Sequence, residues 1–342
     1  MIARYKISKY EDEKKALLNV FESGAWVNGS ELDEASIQLK KIFNKKYCTL
    51  TSNGYSALFL AIKSLRIKNE KIIVPAASTC FAIVNAVIAS GNQPVFADMN
   101  LSDATINFES AKRLQKQHRV KCIIVANLFG NLTNCSELKK ELGITVIEDC
   151  AQSFLSNINH ASEADMQVFS FYPTKIINGI DGGCVLTDDE FIANYIKDVV
   201  YYDEQLKYDG KERYNMRMPN IHAAVLLSNL NKIEQLKKEF LVMQDDFEKL
   251  LNSAKKYKVV KNTGGILSRF ILLFNTNSDK RKFANACKEK NIQVSDVLAN
   301  VSDTEIIENS QTFNLIHNTL SIPYYVGLLS AEKEILNSVL HD

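Results

Sequence analysis

Between residues 71 and 149 short β-branched runs alternate regularly with amphipathic stretches, and this alternation narrows the fold more than any other feature of the chain. The runs are Lys71-Ile72-Ile73-Val74-Pro75, Pro94-Val95-Phe96-Ala97-Asp98, Val120 to Ala126, and Ile144-Thr145-Val146-Ile147-Glu148-Asp149. Helical patterns cover residues 80–90, 107–117 and 134–142 between them. Strands joined by helices predict an α/β fold with a mostly parallel sheet and helices on both faces. In such sheets ligands bind beyond the carboxyl ends of the strands. Pro75, Asp98, Asn127 and Asp149 all fall at or just after strand ends.

A further apolar run, Phe169-Ser170-Phe171-Tyr172-Pro173-Thr174-Lys175, delivers one lysine into a turn-rich segment, Asn178-Gly179-Ile180-Asp181-Gly182-Gly183, which returns into Cys184-Val185-Leu186-Thr187. This arrangement holds an amine at the rim of a sheet and makes Lys175 a candidate covalent anchor for a cofactor. The plainer alternative is a solvated loop lysine. Upstream, Ser52-Asn53-Gly54-Tyr55-Ser56 precedes the helical pattern of Ala57, Leu58, Leu60, Ala61, Ile62 and Leu65. Free N–H groups at the positive end of that helix suit a phosphate, although Ser and Asn at such a place are also ordinary N-caps.

At 342 residues the chain exceeds the usual size of one core, so a large and a small unit are expected. Residues 10–22 and 30–44 read as helices, separated by a glycine-bounded turn that holds Trp26, the only tryptophan, whose plain reading is a hydrophobic plug where the helices cross. Residues 220–251 read as one helical segment leading out of the large domain, followed by strands at 268–274 and 319–323 and a helix at 280–290. The boundary is placed between a large domain, 1–235, and a small α+β domain, 236–342.

Charge and cysteine usage exclude several classes. Lys plus Arg number 41 against 40 Asp plus Glu, so no global positive field gathers nucleic acid or an anionic membrane. No apolar stretch is long enough to span a bilayer, and the N-terminus lacks the apolar core of a signal peptide. Seven cysteines without a C-x-x-C pair imply a reducing cytoplasm. The five histidines are too scattered for a metal pattern, so no metal is expected.

Pyridoxal phosphate makes three demands on a protein: a lysine to hold it, a carboxylate against its ring nitrogen, and donors for its phosphate. Lys175, Asp149, and Gly54 to Ser56 with Ser170 can meet them in that order. Asp149 taken alone could equally cap the turn that follows it.

Six segments then carry a specific resemblance. Ser52 to Leu58, Ile73-Val74-Pro75, Pro94 to Asp98, Val146-Ile147-Glu148-Asp149-Cys150-Ala151-Gln152-Ser153, Phe169 to Lys175 with Asp181-Gly182-Gly183, and Tyr214-Asn215-Met216-Arg217-Met218 occur in the order of the motifs of the DegT/StrS-type sugar aminotransferases. Leu320-Ser321-Ile322-Pro323 is similar to a late motif of that family. The resemblance implies a fold-type I pyridoxal phosphate enzyme that aminates a nucleotide-linked keto-sugar for surface polysaccharide or related glycan biosynthesis, with an amino-acid donor such as glutamate. It implies Lys175 as the cofactor lysine, Asp149 as partner of the ring nitrogen and Gln152 near the ring hydroxyl. Ser170 and the backbone of Tyr55 and Ser56 would bind the phosphate, and Trp26 would lie near the substrate. Asn215 would reach the phosphate of a neighbouring subunit, which implies a homodimer with shared active sites.

The chain departs from the family pattern at several points. Tyr55 stands where threonine is usual, and the ring-stacking aromatic expected after Pro75 is replaced by Ala76-Ala77-Ser78-Thr79-Cys80-Phe81, so either Cys80 or Phe81 must cover the ring. The histidine motif expected late in the chain is absent near residues 294–301. Two other readings remain: a non-catalytic protein that keeps the fold as a sensor or partner, and a sugar dehydratase, against which stands the histidine that such enzymes carry in place of Lys175.

Overall fold

The computed structural model describes residues 1–6, 11–158, 160–203, 209–254, 257–302 and 310–341. Seven strands form the central sheet: β1 (Tyr47–Thr51), β2 (Lys71–Pro75), β3 (Gln93–Ala97), β4 (Cys122–Ala126), β5 (Thr145–Asp149), β6 (Met166–Ser170) and β7 (Gly183–Thr187). Their order is β1-β7-β6-β5-β4-β2-β3. Every pair from β3 to β6 is parallel, and β7 runs antiparallel between β6 and β1. The expected mixed, mostly parallel α/β sheet is therefore present. Each parallel step needs a crossover, and helices Ala82–Ala89, Phe108–His118 and Cys135–Leu142 supply three of them.

The carboxyl ends of β4, β5 and β6 lie side by side, because Ala126 pairs with Asp149 and Asp149 with Val168. Asp149 thus stands at the rim of the sheet, one strand from the loop that carries Lys175. Burial of Phe169 and Phe171 anchors that loop's entry, with Phe169 packed against Phe43 at 4.5 Å and Phe154 at 5.4 Å between ring centroids. Full burial of such a ring contributes roughly 2–3 kcal/mol, which fixes where the strand must end.

The helix expected from residue 10 spans Glu11–Ser23, and Tyr10 itself lies outside the described residues. The single helical segment expected over 220–251 is two helices, Asn220–Leu230 and Ile233–Ala254. The chain turns at Asn231 and Lys232, whose N–H groups donate to Leu227 and Asn229 carbonyls. Apolar spacing continues through the break, so the pattern alone hides it.

The C-terminal lobe holds an antiparallel sheet of Thr319–Ile322, Phe270–Leu273 and Lys258–Val259 with helices Asn277–Glu289, Gln311–Asn318 and Ser330–His341. It is tied to the large sheet through the short pairing of Ala77–Ser78 with Ala299–Asn300. Thr312 adds a second tie, donating its N–H to Asp98 at 3.1 Å while its hydroxyl accepts the Met99 N–H at 2.9 Å. Asp98, another strand-end residue, therefore serves the lobe contact. Residues 1–6 also lie on this lobe: the Ile2 N–H donates to Asn291 and the Gln293 N–H to the Ile2 carbonyl. Among the described residues no helix is long and apolar enough to cross a membrane.

Candidate active site

The site forms where the β1 turn, the end of β5 and the loop after β6 meet. Asn53 caps the helix Gly54–Ser64, its side chain accepting the Ser56 N–H at 2.8 Å. That bond engages the Ser56 amide, one of the two expected to meet a phosphate, and the Ser56 hydroxyl lies 2.9 Å from that of Ser52. The Gly54 and Tyr55 N–H groups carry no hydrogen bond among the described residues. Glycine is required at 54, since a Cβ there would lie 2.7 Å from the Cβ of Ser170. Gly183 is likewise confined, for its Cβ would meet the Asn53 carbonyl oxygen at 2.6 Å. Backbone amides, the helix dipole and the Ser170 hydroxyl so converge on one small volume.

Asp149 accepts the Ala151 N–H on Oδ1 at 3.0 Å, and Oδ2 has no partner among the described residues. Burial pushes its pKa up, opposed by the Ala151 N–H and by the charge of Lys175. Lys175 is held by its backbone, donating its N–H to Tyr172 at 2.9 Å, while Gly179 donates to Phe171 at 2.9 Å and Phe171 to Gly182 at 2.8 Å. Its ammonium has no hydrogen-bond or ion-pair partner among the described residues. Burial drives the Lys175 pKa down, against the attraction of Asp149. Lys175 and Ser170 line one cavity, the charge of Lys175 acts on Asp149, and the Gly54 backbone lies against Ser170. This donor and acceptor set fits pyridoxal phosphate: an anionic head at the helix start, a ring nitrogen at Asp149 and an aldehyde at Lys175.

Gln152 is fixed from both ends, donating to Thr79 Oγ1 at 2.7 Å and accepting the Phe129 N–H at 3.2 Å. Thr79 was not singled out in the sequence, and only the contact with Gln152 reveals its part. Cys80 and Phe81 are both exposed; Cys80 acts electrostatically on Lys175, whereas Phe81 precedes the helix Ala82–Ala89. Trp26 is 50% exposed, stacked on Phe21 at 5.3 Å, so it is not a plug between helices. It does not line either cavity that contains Lys175. Asn215 is exposed beside Met216, whose carbonyl accepts the Ser52 N–H at 2.7 Å, which sets Asn215 near the helix start but turned outward. All seven cysteines are free.

Behind Asp149 lies a carboxylate that sequence reading passed over. Glu148 is fully buried and accepts from Asn127 at 2.6 Å, Asn157 at 3.0 Å, Ser162 at 2.6 Å and Gln167 at 2.9 Å. These donors come from the loops after β4 and β5 and from β6, so Glu148 ties together the segments that carry Gln152 and Lys175. Arg4 and Arg269 were also missed. Both line the cleft with Lys175, although they are far apart in sequence.

The chain is similar to known proteins in both sequence and fold. GDP-perosamine synthase of Vibrio cholerae is 29% identical over 248 residues, covering 69% of this chain and 67% of that protein. The dTDP-3-amino-3,4,6-trideoxy-alpha-D-glucose transaminase of Micromonospora megalomicea subsp. nigra is 27% identical over 239 residues, covering 66% and 64%. These alignments thus span about two thirds of each relative. In fold, the chain is similar to E. coli GDP-4-keto-6-deoxy-D-mannose-3-dehydratase with bound hydrated PLP, with a TM-score of 0.86, 23% identity and 99% of both chains covered. The sequence model of one family matches residues 8–340, from the first helix to the last and across both the phosphate-suited turn and the lysine loop, and the chain belongs to that family, the DegT/DnrJ/EryC1/StrS aminotransferases.

Proposed function

We propose that this chain is a pyridoxal phosphate-dependent aminotransferase that converts a nucleotide-linked keto-sugar into an amino sugar for glycan biosynthesis in the cytoplasm, with glutamate as donor. The observation that carries the reading is the Lys175 amine, which has no partner among the described residues, within electrostatic reach of Asp149 and in one cavity with Ser170, against which Gly54 packs. When bound, pyridoxal phosphate supplies an electron sink and a carrier for the amino group. Gly54, Tyr55 and Ser170 bind its phosphate. Asp149 keeps a proton on its ring nitrogen, and Gln152, fixed by Thr79, orients the ring hydroxyl. Lys175 holds the cofactor and then moves the proton to and from the reacting carbon, a task suited to an amine whose pKa burial has lowered. Cys80 covers the ring face. Asn215 and Trp26, both exposed in the single chain, belong to a surface completed by a second copy in a homodimer with shared sites. The large domain ends near residue 235 and the small one follows.

The test is reduction of the purified protein with borohydride, peptide mapping, and an assay of nucleotide-linked keto-sugars with glutamate. A pyridoxyl group on Lys175 and an aminated sugar are expected. Modification of another lysine, or of none, rejects the assignment.

A further inference from the structure

The turn after β4 is held by the C-terminal lobe, and the same turn holds Gln152. Phe129 is buried at φ +62°, in the left-handed region that residues other than glycine rarely enter, and Gly130 follows at φ +97°. A buried aromatic stays in that conformation only where its surroundings dictate it. Both carbonyls of the turn are tied to the segment that leads into the strand Phe270–Leu273, one directly and one through Ser156. The Phe129 carbonyl accepts the Ser268 N–H at 2.9 Å. The Gly130 carbonyl accepts the hydroxyl of the buried Ser156 at 2.7 Å, and Ser156 Oγ in turn accepts the Ile266 N–H at 2.8 Å. Contact is close enough that a Cβ on Gly130 would strike the Ile266 carbonyl oxygen.

The consequence falls on the Phe129 N–H. It points at Gln152 Oε1, 3.2 Å away, and an N–H can bond only to the oxygen end of a side-chain amide. Gln152 is thereby kept from flipping, with Oε1 on Phe129 and Nε2 on Thr79 Oγ1 at 2.7 Å. Nε2 carries two hydrogens. Thr79 takes one, and the other remains for the cofactor.

We propose that Ser156 is a positioning residue for the cofactor's ring oxygen: by locking the Phe129 turn to the C-terminal lobe, it makes Gln152 present an N–H to that oxygen and not its carbonyl. Ser156 lines neither cavity that contains Lys175 and acts only through the turn. This rests on the aminotransferase reading and deepens it, since it ties the protonation of the ring to the seating of the lobe. A hydrogen bond donated to a deprotonated oxygen favours that form and lowers its pKa.

Absorbance of the holoenzyme titrated with pH reads the proton shared by the ring oxygen and the Lys175 nitrogen, without turnover. Ser156→Ala should raise that spectral pKa by roughly half a unit to one unit, the worth of one ordinary hydrogen bond. Ser156→Cys, a weaker donor of similar size, should fall between wild type and Ser156→Ala. Gln152→Ala should raise the pKa by itself, and in that background Ser156→Ala should shift it no further. Asp149, Cys80 and Arg269, the ionisable groups that act on Lys175, are the same in every variant. An unchanged spectral pKa in folded Ser156→Ala overturns the proposal, and so does a shift that persists in full without Gln152. If Ser156→Ala does not fold, Ser156→Cys decides on the same terms. A wild type that forms no titrating cofactor band at Lys175 rejects the aminotransferase reading, and this proposal with it.

Discussion

Gly54 and Ser170 approach so closely that the helix start and the end of β6 form one wall, with a Cβ on residue 54 lying 2.7 Å from Ser170 Cβ. The two residues belong to different strand ends, and their contact sets the width of the phosphate cradle. Gly54→Ala should therefore destabilise the protein by about 1–3 kcal/mol, the usual range for overpacking. The clash is with the Ser170 side chain, so Gly54→Ala combined with Ser170→Gly should recover most of that loss. Denaturant unfolding of the two variants in cofactor-free protein measures the coupling. Additive losses would show that the wall is not built on this contact.

Lys175 should react as an amine that loses its proton more easily than an ordinary lysine. Burial disfavours its charged form and outweighs the attraction of Asp149, so the folded pKa lies below the reference value of 10.5. The protonated form dominates below that lowered pKa and the nucleophilic neutral form above it. In protein stripped of cofactor, the rate of Lys175 acylation by a small reagent, followed by mass spectrometry, should rise with pH and level off below 10.5. Asp149→Asn removes the opposing attraction and should move the midpoint lower still. A wild-type profile centred on the ordinary lysine value contradicts the assignment.

The positions of Asp149 at a strand end and of Lys175 in the loop after a strand were legible in the sequence because each follows from a local pattern, an apolar strand that gives way to polar residues. The sheet was legible for the same reason. The break at Asn231 was hidden because apolar spacing runs through it, and position alone could not show that the Ser56 amide would be taken up by Asn53. Arg4, Thr79 and Arg269 could not be read at all. Their part is defined by tertiary contacts: Arg4 reaches the cleft through bonds to Gln293 and Ser295 near the other end of the chain. No local periodicity records such a meeting. Glu148 lay in plain view beside Asp149, yet only the convergence of its four donors distinguishes it from an ordinary strand residue.

That convergence sets the last expectation. Glu148 is the acceptor for Asn127, Asn157, Ser162 and Gln167, and all four side chains turn toward it at the end of β5. Removing the carboxylate leaves several buried donors without a partner, and each unsatisfied group costs about 1–3 kcal/mol before relaxation. Glu148→Ala should therefore lose about 3–5 kcal/mol in denaturant unfolding, the magnitude seen when one partner of a buried charged network is deleted. Glu148→Gln keeps the shape and one acceptor oxygen but presents an amide to donors, so its loss should be smaller though still substantial. The charge of Glu148 also holds the Asp149 pKa up, so in Glu148→Gln that pKa should fall. Unfolding measurements give the first effect and infrared titration of the Asp149 carboxyl the second. A near-neutral Glu148→Ala would mean that the loops bearing Gln152 and Lys175 are held by apolar packing alone.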